Sequence, residues 1–290
     1  MSLFALILAL LLEQRFPLPY AHWVARPVSI WAEWLERYLN AGSYQQGIAA
    51  ALLATLLPLA PLILVYILCL EQPVLAFALN ALILYLTLGF RQFSHFYTDI
   101  QMALRLDDTE RARALLSEWR NEDLPANLEA DEIAQLAIET ALVASHRHVF
   151  AVIFWFVLLP GPLGALLYRI SHLLADSWRE QGDFGRFAAD MFYWLEWLPT
   201  RATAAAFAIV GNFEDAVFCW RNQAARWYNR GLGIVIASGA GALGIRLKND
   251  LGTGEAADVD SMQSAVGLVW RAVMLWCLLL ILRWLAGMAS

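Results

Sequence analysis

The stretch from Gly47 to Leu70 limits this chain more than any other feature, because it runs for 24 residues without a charge. Wound as an α-helix at ~1.5 Å per residue it is about 36 Å long, enough to cross the ~30 Å hydrocarbon core of a bilayer. Pro58 and Pro61 lie inside it. Membrane helices tolerate proline when neighbours re-satisfy the freed carbonyls, so a kink is expected there. Glu71, Gln72 and Pro73 follow, and then a second uncharged run, Val74 to Phe90, closed by Arg91. Three residues leave the chain little choice but to turn back, so the two runs are expected to form a helical hairpin.

The composition agrees with a membrane solvent. Of 290 residues 60% are hydrophobic and 16% charged, with a mean hydropathy of +0.53. Soluble domains run near 45–50% apolar and ~25% charged, so one soluble core is too small for this excess. The net charge of −6 argues against nucleic acid as the main partner, since phosphate backbones select basic faces. Among the basic residues only Lys248 is lysine, the other 19 being arginine. Cys69, Cys219 and Cys277 are too scattered for a CxxC metal or redox motif and read as small buried hydrophobes.

Leu3–Leu12 is apolar but has no basic residues before it and no small-residue cleavage site after it, so it reads as a short or tilted membrane segment that is retained. Residues 91–148 carry 11 acidic and 6 basic residues and read as an extramembrane insert of two amphipathic helices. One starts at an Asp107 or Asp108 cap and carries Ala112, Leu115, Leu116 and Trp119 on one side. Pro125 breaks it, and the other starts near Glu129 with Ile133, Leu136, Ala137 and Thr140 on one face. Val149–Tyr168 reads as a span with Pro160-Gly161-Pro162 in its middle, kinked or re-entrant. Residues 169–230 form an interfacial region whose aromatics, Trp178, Phe184, Trp194, Trp197, Phe213, Trp220 and Trp227, favour the headgroup level. A last span runs from about Leu268 to Leu285, interrupted by Arg271 and Arg283. The arginines of 91–148 place that loop on the cytoplasmic side, while the seven of 169–230 leave the later orientation open. The whole reads as an all-α integral membrane protein, one polytopic helical bundle over 1–290 with Pro-kinked spans and amphipathic interfacial or cytoplasmic helices.

Several constellations could carry chemistry. Gly239-Ala-Gly241-Ala-Leu-Gly244 is a literal GxGxxG, but Ile245–Gly252 after it reads as a loop and not as the helix that a dinucleotide site needs. Close helix packing through small residues is the better reading, and a phosphate-binding turn with Arg246 and Lys248 the alternative. Ser145-His146-Arg147-His148 precedes a span. Its histidines, two apart on a helix, do not share a face for one metal, so the cluster is either a polar collar or a contact to a headgroup or phosphate. Glu139 either pairs with Arg147 or belongs to a site. Arg201, just past Pro199, either snorkels or binds. Capping explains Asn212-Phe213-Glu214-Asp215 as well as metal binding does.

Taken together, these segments resemble the CobD/CbiB family. Glu139-Thr140, Phe154-Trp155 and Gly161-Pro-Leu-Gly-Ala-Leu-Leu-Tyr-Arg169 are similar to its E-S … L-F-W … G-x-P-G-A-L-x-Y-R. Trp197-Leu-Pro-Thr-Arg201 resembles N-W-x-P-A-R, Gly241–Leu247 resembles G-A-L-G-V-R-L, and Arg26-Pro27-Val28 resembles H-P-V. The resemblance covers most of the chain. It implies a membrane enzyme of cobalamin biosynthesis that uses ATP and Mg²⁺ to join an aminopropanol (phosphate) arm to adenosylcobyric acid by an amide bond. Polar family motifs are replaced at Ala144–His148, Phe192–Glu196 and Glu122–Pro125, while the Gly, Pro and Trp positions remain. Gly211–Trp220 also resembles the related AmpE proteins, membrane proteins of β-lactamase induction and cell-wall signalling, which implies a non-catalytic alternative with membrane-protein partners.

Position and resemblance together single out Glu139 and Arg201 as candidate catalytic residues. His146, Arg147, His148, Arg169 and Arg246 are candidates for holding a corrinoid or another phosphate-bearing small molecule, and no metal-ligand set is assigned. Charges so near hydrocarbon are costly unless they face water or one another, so these residues are expected to converge on one polar cleft at the membrane surface. Such a cleft suits an anion better than a Mg²⁺–ATP complex, because its carboxylates are few.

Overall fold

The computed structural model describes residues 2–16, 18–248 and 251–289. In chain order the helices are α1 (Ser2–Arg15), α2 (Arg26–Leu39), α3 (Tyr44–Cys69), α4 (Pro73–Thr87), α5 (Phe90–Arg105), α6 (Thr109–Arg120) and α7 (Ala130–Ser145). Then follow α8 (Ala151–Leu158), α9 (Leu163–Ser177), α10 (Gly182–Val210), α11 (Phe213–Gln223) and α12 (Arg230–Leu243), and, after three short strands, α13 (Ser261–Ala289). The strands are β1 (Ile245–Lys248), β2 (Leu251–Gly252) and β3 (Glu255–Ala256), in the order β2-β1-β3. Tyr44–Cys69, Ala130–Leu158 and Ser261–Arg283 are long and apolar enough to cross a membrane. The protein is thus an all-α membrane protein with one small sheet.

The chain forms two compact units, residues 1–89 with 151–199 and residues 90–150 with 200–290. In the first, α2, α3, α9 and the start of α10 enclose a core of Ala32, Leu35, Ala50, Ala54, Leu174, Trp178 and Phe184. Small residues let the backbones approach closely. A Cβ on Gly47 would lie 2.1 Å from the Phe184 carbonyl oxygen. The Trp178 indole N–H donates to the Ala32 carbonyl at 3.3 Å. The Ser43 hydroxyl caps α3 by accepting from the Gln46 N–H, and Pro73 opens α4 where its missing N–H costs nothing.

The structure departs from the sequence reading at three places in this region. The run 74–90 is not one helix, because α4 ends at Thr87 and α5 starts at Phe90. At ~1.5 Å per residue α4 is only about 22 Å long. Of the two readings of Pro160-Gly161-Pro162, a kink is excluded, because the motif breaks the segment into two helices: α8 stops at Leu158 and α9 starts at Leu163. The apolar helix reaching that turn begins at Ala130, not Val149, and passes through a single π-turn at His146–Phe150. Finally, Trp178 and Phe184 are core residues, 1% and 0% exposed, while Trp194 does face outward.

In the second unit the local signals act as read. The Asp108 carboxylate caps α6 at the Arg111 N–H, 3.1 Å away, and Ala112 and Leu116 are fully buried. Glu129 and Glu132 form a capping box at the start of α7. An additional amphipathic helix, α5, precedes them. The GxGxxG lies at the end of α12, where Gly241 packs so tightly on α11 that a Cβ would fall 2.4 Å from the Asp215 carbonyl oxygen. Gly244 adopts the left-handed conformation that ends the helix. The stretch after it, read as a loop, instead forms β1, pairing antiparallel with β2 and parallel with β3.

Candidate functional site

The polar residues of the second unit gather where α7 meets β1. The Gln135 and Glu139 side chains lie one helical turn apart on the same face of α7. Gln135 donates to the Ala257 carbonyl just after β3 at 3.1 Å. Glu139 is only 3% exposed, and its carboxylate lies 3.7 Å from Lys248 Nζ on β1. Burying a carboxylate is expensive unless a cation accompanies it. The ammonium also lies over the Trp227 ring, 5.0 Å from its centroid, a geometry in which the ring face attracts a cation.

A second cation approaches from α6. Arg120 donates to the Thr140 hydroxyl at 3.0 Å and pairs with Glu122 at 3.0 Å, and its charge reaches Glu139. Tyr228 lies within electrostatic reach of Glu139, Arg147, Arg120 and Glu122. Arg246 and Lys248 alternate with buried Ile245 and Leu247, so both basic side chains leave β1 on one face.

The expected residues are therefore placed as follows. Glu139 has an ion-pair partner that neither reading of it named, Lys248 on β1. Arg147 and His148 are half-buried in the π-turn. His146 is fully buried and points inward, its Nδ1 2.9 Å from the Thr203 hydroxyl. Arg201 is half-buried on α10. Arg169 belongs to the first unit, is 0% exposed, donates from Nε to the Thr87 carbonyl at 2.9 Å, and stacks its guanidinium over Tyr20.

Reasoning from sequence gave Arg120 and Tyr228 no place in a site, undervalued Lys248, and read Trp227 as an interfacial aromatic, whereas it is buried, 5% exposed. Two signals were available. Ile245-Arg246-Leu247-Lys248 alternates with the period of a strand, and Arg120 stands two residues before the segment matched to a family polar motif. The Asn212 side chain accepts from the Asp215 N–H at 3.3 Å and caps α11. Among the described residues no group of three or more His, Cys, Asp or Glu could hold a metal ion.

Helices long and apolar enough to cross a membrane, with a nearly dry carboxylate paired to Lys248 in the second unit, define a helical membrane protein with a buried ion pair. Comparison with known proteins is more specific. The model of the CobD/Cbib protein family matches residues 6–285, and the chain belongs to that family. It is 30% identical over 266 residues to the cobalamin biosynthesis protein CobD of Stutzerimonas stutzeri, covering 86% of this chain and 87% of that one. It is 32% identical over 242 residues to the CobD of Chromobacterium violaceum, covering 78% and 77%. A probable cobalamin biosynthesis protein CobD of Methanothermobacter thermautotrophicus is 33% identical over 153 residues, about half of each chain. No solved structure matches.

Proposed function

We propose that this protein acts in cobalamin biosynthesis, as a multi-pass protein of the inner membrane that joins an aminopropanol (phosphate) arm to a corrinoid carboxylate through an ATP-driven amide bond. The observation that carries the proposal is the family match across residues 6–285 together with full-length relatives named for that pathway. In such a reaction phosphoryl transfer from ATP activates the carboxylate, and the amine attacks the acyl carbon, expels phosphate and gives up a proton. Lys248, Arg120, Arg147 and Arg246 supply the positive charge that phosphate oxygens need. Glu139, the buried carboxylate of this unit, is the candidate to take the amine's proton, with Arg201, Arg147 and His148 lining the approach and the buried His146 holding the turn from inside. With no three-acid cluster among the described residues, Mg²⁺ would arrive on the nucleotide phosphates, with at most a carboxylate or two from the protein, as is usual for this ion.

One observation favours a second reading. The family's polar motifs are replaced at Ala144–His148 and Phe192–Glu196, as in a fold retained for partner binding or signalling of the AmpE kind. Complementation separates the two. A cobinamide-auxotrophic strain lacking its own enzyme of this type should grow on cobyric acid when supplied with this chain, and not with Glu139→Gln. No growth with the wild-type chain, inserted in the membrane at normal levels, would end the ligase reading and leave the signalling one.

A further inference from the structure

We propose that α2 is an in-plane membrane helix whose aromatic stripe is seated at the headgroup–acyl boundary of the bilayer. The helix has three faces. At roughly 100° per residue, Pro27, Ile30, Trp34 and Tyr38 fall in one stripe, and Arg26, Glu33 and Arg37 fall in a second beside it. Ala32 and Leu35, 0% and 2% exposed, occupy the remaining side and pack into the core of the first unit. The apolar stripe is uncovered: Ile30 is 57%, Trp34 49% and Tyr38 68% exposed. Trp34 lies against Tyr38 at 4.9 Å and stacks at 5.3 Å on Trp31, which packs against the core.

Neither bulk water nor the hydrocarbon core suits this helix. Water would leave a continuous aromatic stripe solvated, which monomeric surfaces rarely do. The hydrocarbon core would take in Arg26, Glu33 and Arg37, which are all exposed, and charges there are strongly disfavoured. The boundary between them accepts both, since Trp and Tyr favour that depth and charged side chains beside them reach the headgroups and water.

The chain also places α2 there. Only residues 40–43 separate it from α3, a tether that spans at most about 14 Å at ~3.5 Å per residue. At ~1.5 Å per residue the 26 residues of α3 are about 39 Å long, so its first turn stands at the membrane surface. The tether keeps the stripe close to the surface end of α3, whose Leu52, Leu53 and Leu56 are exposed along the span. The occupant is lipid, not a second copy of the chain.

Single spin labels test this, placed in the full-length chain after Cys69, Cys219 and Cys277 are replaced and the protein is reconstituted in phosphatidylcholine–phosphatidylglycerol vesicles. A label at position 34 should be reached by oxygen several-fold better than by a water-soluble nickel chelate. A label at 33 should show the reverse, and a label at 35 should be shielded from both. If 34 is as accessible to nickel as 33, the stripe faces water and the proposal fails. If 34 is shielded from both reagents, or shows dipolar coupling between copies, a protein covers the stripe and the proposal also fails. Labels at 30 and 38 repeat the measurement, so that failure of one variant to fold leaves the outcome decidable.

Discussion

Adding one methyl group at Gly241 should separate α11 from α12. The new Cβ would lie 2.4 Å from the Asp215 carbonyl oxygen, 2.7 Å from its carbonyl carbon and 2.8 Å from the Ala216 Cα. All three are backbone atoms, so no side chain can rotate away and the helices must part. Overpacking of this kind costs typically 1–3 kcal/mol, and a clash with rigid backbone puts Gly241→Ala near ~3. Alanine returns ~1 kcal/mol through its better helix propensity, which leaves a net destabilisation of about 2 kcal/mol. Cys219 lies on α11 and is 0% exposed, and burial, aided by the Asp215 carboxylate, pushes its thiol up to about 11. Alkylation at pH 8 is therefore slow and reports opening of this helix pair. With Cys69 and Cys277 replaced by serine, the Gly241→Ala protein should label roughly 30-fold faster, at ~1.4 kcal/mol per tenfold. Gly267→Ala on α13 is the control: nothing lies within 4 Å of its added methyl, so the labelling rate should not rise. Equal rates for Gly241→Ala and the parent would refute the close-packing account of this GxGxxG.

Two further outcomes follow from single contacts. A double-mutant cycle with Glu139→Gln and Lys248→Met, read by unfolding in detergent, should give a coupling on the order of 1 kcal/mol, because Lys248 is 48% exposed and water screens the pair; a coupling of zero would deny the pair. Asp258, at the turn that starts α13, accepts hydrogen bonds from the Ser261 hydroxyl and N–H, which hold its carboxyl below the usual 3.8. A depressed folded-state value means stability that is present above ~3.8 and lost as the pH falls through the folded value. The parent should therefore be more stable than Asp258→Asn at pH 6, by no more than about 1 kcal/mol for so exposed a cap, and the gap, followed by thermal unfolding, should close in acid.

How much of this was legible in the sequence depended on the range of the interaction. The α3 span and the caps at Asp108 and Glu129 are set by neighbouring residues, and each lies within a few residues of where the pattern put it. The break at Leu88-Gly89 was hidden because both sides of it are apolar. The helix from Ala130 to Leu158 was hidden because His146-Arg147-His148 looks like a polar collar. Its first histidine instead turns inward to Thr203, a partner far along the chain. Family resemblance flagged Glu139, but Lys248 became visible as its partner only once β1 had folded back along α7. Strand β1 itself was lost to the reading of its glycine-rich surroundings as a loop.

The order in which the units are completed follows from their interleaved composition. Residues 1–89 leave the ribosome first, yet α9, which packs against α2, α3 and α4, comes only after residues 90–150 of the other unit. At ~5–20 residues per second those 61 residues impose a delay of about 3–12 s, during which Ala50 and Ala54 have no α9 to cover them. Synthesis must therefore hold an unfinished half in or near the insertion machinery while the second half begins, and a nascent chain stalled within 90–150 would present an open helical groove to the cell's quality-control proteases.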